Sequence, residues 1–174
     1  ARLVLERAEP PAATDLLAAR CADRLPALAA ARAYEPLVVV GRRAPMADLI
    51  LEALARKVEG WRAPGRRPAV AEAVARLQAE RRAGRRDDPA VLDALREFAR
   101  YVDRSRDGRG GGLLLVDEMG RSLEYAASRE GGNDTSVFQA LGEMAAGSAD
   151  APVALVGVLH QRFAEYASAL GDGT

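Results

Sequence analysis

The chain has 174 residues, a formal net charge of zero, and 49% hydrophobic, 29% charged and 5% aromatic residues. This length suffices for one compact domain, and a neutral chain has no overall field that would attract nucleic acid or an anionic membrane. A lone cysteine, Cys21, excludes an intrachain disulfide, and no apolar run reaches the roughly 18 residues of a membrane helix, so we expect a cytoplasmic protein without a membrane span. At the start of the chain, residues 1–8 predict a short strand, and Thr14 can cap a helix that Pro26 kinks.

The next segment predicts a strand, a loop and a helix. Leu37–Val40 is too short and too continuously aliphatic for a half-exposed strand, so we expect a fully buried parallel strand there. Gly41 ends this strand and Pro45 suits a first helical turn. Met46–Val58 then has the apolar spacing of an amphipathic helix.

Residues 61–110 predict a helical insertion between strands. Two helices are expected, within 68–84 and 87–105, the second with Asp88 as its cap and Pro89 at its first position. A glycine run at 110–112 follows the pair and precedes the next strand. From Trp61 to Arg86 there are eight arginines against two glutamates, which indicates either a solvated helical face or a surface that contacts nucleic acid or protein. The candidates for that contact are Arg66, Arg67, Arg81, Arg82, Arg85 and Arg86.

The strand–helix pattern then resumes twice. Leu113–Val116 predicts a buried strand, followed by Asp117, Glu118 and a short helix. Asp134 can cap the next helix, and Val153–Leu159 predicts a third strand before a final helix. Short aliphatic strands that alternate with helices are typical of a three-layer α/β fold with a mostly parallel sheet. We expect one domain, or a fragment of one, over residues 1–174.

Polar residues follow each of the three predicted strands. They are Gly41-Arg42-Arg43, Asp117-Glu118 and His160-Gln161. In parallel sheets, ligands collect beyond the carboxyl ends of the strands, so these groups are expected to share one site. An aspartate directly after a buried strand can bind Mg²⁺, which takes one or two carboxylates together with substrate phosphates. A neighbouring glutamate can orient and deprotonate a water for in-line attack.

The segment Leu113–Glu118, "LLLVDE", resembles the Walker B motif of additional-strand P-loop ATPases, and "VALVGVLHQ" is similar to the next strand of that family. The longer pattern with "LEYA" and "LHQ" resembles large bacterial ATP-binding proteins of phage-defence operons. The resemblance covers roughly residues 35–170. It implies ATP and Mg²⁺ as ligands, with Asp117 on the metal, Glu118 as the catalytic base, and His160 or Gln161 sensing the γ-phosphate. Four arginines fall just after strands and are candidates to contact phosphate or to act as a finger toward a neighbouring subunit: Arg42, Arg43, Arg121 and Arg162.

The chain departs from this family in one essential motif. The phosphate-binding loop requires Gly-x4-Gly-Lys-Ser/Thr, because its backbone amides and lysine hold the phosphates. No such stretch occurs, and the only lysine, Lys57, lies in a predicted helix without the glycines. Either the loop lies upstream in a longer protein, which the start at Ala1 favours, or this is a degenerate member. The isolated chain is expected to show weak or no ATPase activity.

Four alternatives stay open at this level. Asp117 and Glu118 can be an acidic pair that only caps the following helix, and Arg121 and Arg162 can be solvated surface residues. A degenerate ATPase fold can act as a non-catalytic module that binds protein or nucleic acid through its arginine-rich helices. A metal-dependent phosphohydrolase can use the same carboxylates without ATP.

Overall fold

A computed structural model describes residues 33–59, 61, 68–128, 135–147 and 152–159. It contains a strand β1 (Ala33–Val40), helices α1 (Met46–Glu59), α2 (Ala69–Arg82) and α3 (Asp88–Arg104), and a strand β2 (Gly110–Asp117). Helices α4 (Met119–Ala127) and α5 (Thr135–Gly147) and a strand β3 (Val153–Gly157) follow. The strand predicted at residues 1–8, the helices after Thr14 and Leu159, and the cap at Asp134 lie outside the described residues.

The three strands form one parallel sheet in the order β1-β2-β3, which confirms the α/β class with a parallel sheet. In the register, Val38 of β1 lies beside Leu115 of β2, and Leu115 lies beside Val156 of β3. Strand β2, which ends in Asp117, is therefore the centre of this sheet. Chain order and strand order are the same, so right-handed crossovers place the connecting helices on one face.

That helical face holds the main core. Leu37 and Val39 of β1 and Leu114 and Val116 of β2 belong to one buried cluster with side chains of α1, α2, α3 and α5. Because α3 packs directly on β2 and contributes the fully buried Phe98, the helices predicted as an insertion share the core of the sheet. Their status as an insertion stays a prediction.

The opposite face of the sheet is only partly covered. Tyr34 and Leu113 are buried there, but Val38 and Val40 are 53% and 59% exposed. The expectation of a fully buried first strand was therefore wrong. All described helices that follow β1 lie against the other face, so burial in β1 alternates along the strand despite its uniformly aliphatic sequence. A third layer stays a prediction.

Two boundaries also differ from expectation. The glycine run 110–112 forms the start of β2 and does not precede the strand. Neighbouring backbone lies close to these glycines: a Cβ on Gly110 would lie 2.7 Å from the Val102 carbonyl carbon of α3, and one on Gly111 would lie 2.6 Å from the Pro152 carbonyl oxygen. The cap of α3 is Asp87, whose Oδ1 accepts the Ala90 amide at 2.9 Å. Asp88 is instead the first helical residue and pairs with Arg81, so Pro89 moves to the second position.

Cationic side chains cover the outer edge of β1. Arg56 donates to the Val38 carbonyl oxygen at 3.5 Å, and Glu35 pairs with both Lys57 and Arg106. Pro36 has no amide hydrogen to offer a further strand. Charged side chains and proline are common means of blocking strand pairing at a sheet edge.

Candidate functional site

The carboxyl end of β2 carries the two acids at the rim of the sheet. Asp117 is the last residue of the strand and is exposed, because its neighbour Val116 points into the core and side chains alternate along a strand. Its side chain therefore lies on the face opposite the helices. Asp117 Oδ1 accepts the Glu118 amide at 2.9 Å. No side chain among the described residues bonds the second oxygen, Oδ2, so this oxygen can serve a ligand.

Glu118 holds a strained backbone conformation. Its φ is 51° and ψ is 37°, in the left-handed region, where non-glycine residues are uncommon and cost about 1–2 kcal/mol. The residue forms the link between β2 and α4, so the left-handed turn starts the helix directly after the strand. Strain of this kind concentrates at functional sites, where the surrounding structure enforces it.

Arg121 contacts Glu118 one helical turn later. Its Nε lies 2.8 Å from Glu118 Oε2, and the arginine side chain is largely exposed. In this arrangement the arginine orients the carboxylate, and its predicted contact with phosphate stays a prediction. An exposed ion pair of this kind contributes little to stability, about 0–1 kcal/mol, so the contact is easily exchanged.

Gly41 brings the loop after β1 against the end of β2. Its amide donates to the Asp117 carbonyl oxygen at 2.6 Å. A Cβ at this position would lie 2.7 Å from the Glu118 carbonyl carbon and 2.9 Å from the Asp117 carbonyl oxygen. The fully buried Ser122 of α4 donates from Oγ to the Arg42 carbonyl oxygen at 3.3 Å, which ties the same loop to α4. The loop after β1 is therefore in direct backbone contact with the end of β2.

The end of β3 reaches the same place. The Met119 amide donates to the Val158 carbonyl oxygen at 3.0 Å, so the chain two residues before His160 lies beside Glu118 and Met119. His160, Gln161 and Arg162 themselves lie outside the described residues, as do Arg66 and Arg67. Their predicted roles in sensing and phosphate contact stay predictions.

Arg42 and Arg43 are exposed at this rim, but Arg42 points away from the acids. Its Nη2 lies 2.5 Å from Glu52 Oε1 of α1, on the helical side of the sheet. The only described acidic groups at the carboxyl end of β2 are thus Asp117 and Glu118. No three histidine, cysteine, aspartate or glutamate side chains of the described ranges cluster into a self-sufficient metal site.

The donor set fits Mg²⁺ only together with a phosphate ligand. Magnesium keeps several waters and commonly takes one or two carboxylates plus substrate oxygens, which matches an exposed aspartate with one free oxygen. Both acids were candidates from the sequence, and their roles stay predictions. The sequence pattern was less informative about the loop after β1. It did not identify the close approach of Gly41 or the anchor at Ser122, although a glycine directly after an aliphatic strand is a usable signal for such an approach.

Comparisons with family models, with curated proteins and with solved structures found no match to this chain. In the part of the chain that the structure describes, no helix has both the length and the apolar character needed to cross a bilayer.

Proposed function

We propose that the chain supplies the metal-binding and water-activating half of an ATP-hydrolysing site. The observation that carries the proposal is the placement of Asp117 and Glu118 at the carboxyl end of the central strand of a parallel sheet, with the loop after β1 and the end of β3 on either side. This is where ligands bind in open α/β sheets. The resemblance of "LLLVDE" to Walker B supports the same assignment.

In the proposed site, Asp117 would hold Mg²⁺ through its exposed oxygen. Bound there, Mg²⁺ would supply neutralisation of the negative charge on the phosphates. Glu118 accepts a proton from the attacking water. The left-handed backbone conformation of Glu118 fixes the direction in which its side chain leaves the main chain. Arg121 pairs with that carboxylate at 2.8 Å. The predicted sensor, His160 or Gln161, would approach from the end of β3, and Arg162 remains a proposed phosphate contact.

The 174 residues lack the phosphate-binding loop that P-loop enzymes use to hold ATP. Without a Gly-x4-Gly-Lys-Ser/Thr stretch, the triphosphate lacks the backbone cradle that P-loop enzymes use. We therefore propose hydrolysis for the protein at its full natural length, in the cytoplasm, and a role in bacterial phage defence in line with the resemblance. The isolated chain should show weak or no ATPase activity.

The test compares Glu118→Gln with Glu124→Gln in the full-length protein, using steady-state ATP hydrolysis and ATP binding. Glu124 is an exposed glutamate on the same short helix, so its variant controls for loss of charge. We expect Glu118→Gln to lower the hydrolysis rate by about 10²–10⁴-fold with ATP binding retained, and Glu124→Gln to leave both unchanged. Wild-type hydrolysis by Glu118→Gln would refute the proposal.

A further inference from the structure

An arginine-rich cleft lies on the helical side of the sheet, between the first half of α1 and the end of α2. Its wall carries four guanidinium groups against two carboxylates. The charged lining residues are Arg42, Arg81, Arg82, Arg86, Asp48 and Glu52. Three separate segments contribute the arginines: the loop after β1, the last turn of α2, and the turn that follows α2. The cleft thus has an excess of positive charge that converges from several directions.

Arg81 forms the floor of the cleft. Its side chain is only 15% exposed, with Nε 2.6 Å from Asp48 Oδ1 and Nη2 2.5 Å from Asp88 Oδ1. These two carboxylates neutralise Arg81 and join the three helices α1, α2 and α3. We therefore assign Arg81 a structural role. It was predicted as a partner contact only because its sequence neighbourhood is rich in arginine.

The rim carries the cationic groups that a ligand can use. Arg82 is exposed and no carboxylate of the described residues pairs with it. Arg86 is half-exposed, and its Nη2 is 3.5 Å from Asp48, whose carboxylate already pairs with Arg81. The Arg42–Glu52 pair is exposed on both sides, so solvent screening leaves it weak and exchangeable. An anion that enters the cleft therefore meets two arginines whose charges are incompletely compensated.

The turn that holds Arg86 is well defined. Gly84 has a φ of 77°, and its amide and that of Arg85 donate to the carbonyl oxygens of Arg81 and Glu80, the hydrogen-bond pattern that ends a helix in a Schellman motif. Asp87 then caps α3. A turn fixed at both ends positions Arg86 before a ligand arrives, which reduces the entropy lost on binding.

The surroundings favour a compact ligand over an extended one. The partly exposed arginines of α3 are paired with acids on their own helix: Arg96 with Asp93 at 2.6 Å, and Arg100 with Glu97 at 2.6 Å. The exposed Arg104 lies in the last turn of α3, at the opposite end of the helix from Asp88, and is 3.9 Å from Glu97. Consequently no uncompensated basic track continues from the cleft along α3. A nucleic-acid backbone needs such a track to neutralise several phosphates, whereas a single di- or triphosphate group does not.

We propose that this cleft is a binding site for a compact polyphosphate anion, held by Arg82 and Arg86 at its rim with Arg42 as a third contact. Charge-assisted contacts between guanidinium and phosphate supply the recognition. The cleft lies on the helical side of the sheet and Asp117 points to the other side, so the two sites are separate. This site does not depend on the proposed hydrolysis.

The test is titration calorimetry with inorganic pyrophosphate in EDTA at low salt, on the 174-residue chain. EDTA removes metal-dependent binding at Asp117. We expect Arg82→Gln and Arg86→Gln each to weaken binding about five- to tenfold and the double variant to abolish it, since roughly 1 kcal/mol corresponds to fivefold. Arg85→Gln is the matched control, because Arg85 is exposed beside both arginines but does not line the cleft. It should change affinity less than twofold, by about the size of a surface-charge effect.

Two further measurements separate this site from its rivals. Asp117→Asn should bind pyrophosphate like the wild type, and circular dichroism should show every variant folded. The proposal fails if the wild type does not bind pyrophosphate at millimolar concentration, if Arg85→Gln weakens binding as much as Arg82→Gln, or if Asp117→Asn abolishes it. It also fails if a single-stranded oligonucleotide binds and excess pyrophosphate does not displace it, because an extended nucleic-acid surface would then be present.

Discussion

Replacing Gly41 with alanine should destabilise the protein, because the new methyl group would clash with backbone carbonyl groups at the end of β2. The added Cβ would lie 2.7 Å from the Glu118 carbonyl carbon, a backbone atom that cannot rotate away. Overpacking of this kind costs about 1–3 kcal/mol, and weakening the 2.6 Å hydrogen bond to Asp117 adds about 1 kcal/mol. Alanine also lowers the conformational entropy of the unfolded chain, which offsets about 0.4–1 kcal/mol of this loss in stability. The expected net loss is about 2 kcal/mol.

The matched control is Gly142→Ala in α5. Nothing lies within 4 Å of a Cβ built at Gly142, and alanine is the better helix former, so this variant should gain about 1 kcal/mol. The same chemical change is thus expected to act with opposite sign at two positions. Urea unfolding followed by circular dichroism measures both. With an m-value of about 2 kcal/mol per molar urea, the two midpoints should differ by about 1.5 M.

A Gly41→Ala midpoint equal to or above that of the wild type would refute the reasoning, because it would mean that the ends of β1 and β2 are not in contact. A loss shared equally by both variants would show a general effect of replacing glycine. The left-handed backbone does not explain a loss at Gly41, since among the described glycines only Gly84 and Gly108 have positive φ.

Two other variants test the packing of the helices and the strain at Glu118. Arg81→Met leaves the partly buried Asp88 without its cation and leaves Asp48 with only the 3.5 Å contact to Arg86, so it should cost about 2 kcal/mol in urea unfolding. The cost is smaller than for a fully buried pair because Asp48 and Asp88 remain about one-third exposed. The exposed Arg85→Met should stay within about 0.5 kcal/mol, and equal effects would show that Arg81 is solvated. Glu118→Gly removes the left-handed strain and should be about 1 kcal/mol more stable than Glu118→Gln, raising the melting temperature by about 2–4 °C in calorimetry. Equal melting temperatures would mean that the backbone at residue 118 relaxes.

Local patterning was sufficient to place most elements of the described chain. The aliphatic runs after Pro36 and after Gly112 and the helix from Met46 were predicted to within a few residues, because short apolar runs and helical spacing are local signals. Burial of β1 was not predictable in the same way. Whether Val38 is covered depends on the face along which the chain crosses the sheet, which is a property of topology and not of the strand.

The same distinction between local sequence patterns and long-range contacts applies to the candidate site. Asp117 and Glu118 were identifiable because carboxylates directly after an aliphatic strand form a local pattern. The left-handed conformation of Glu118 and its contact with Arg121 were not, since φ and side-chain pairing depend on how β2 joins α4. Arg81 shows the converse: its sequence neighbourhood is basic and suggests a partner surface, but it pairs with Asp88 of the next helix and with Asp48 of α1, which is distant in sequence.

The two edges of the sheet have different capacities for growth. At β1, Arg56 occupies the Val38 carbonyl oxygen and Pro36 offers no donor, so a strand that approached there would have to displace side chains. At β3, the Val158 amide bonds to Val116 and the Pro152 carbonyl accepts from Gly112, so alternation directs the amides of Val153, Leu155 and Gly157 away from β2. No described strand pairs with them. Of the two edges formed by the described strands, the β3 edge therefore directs backbone amides outward, whereas Arg56 and Pro36 obstruct the β1 edge.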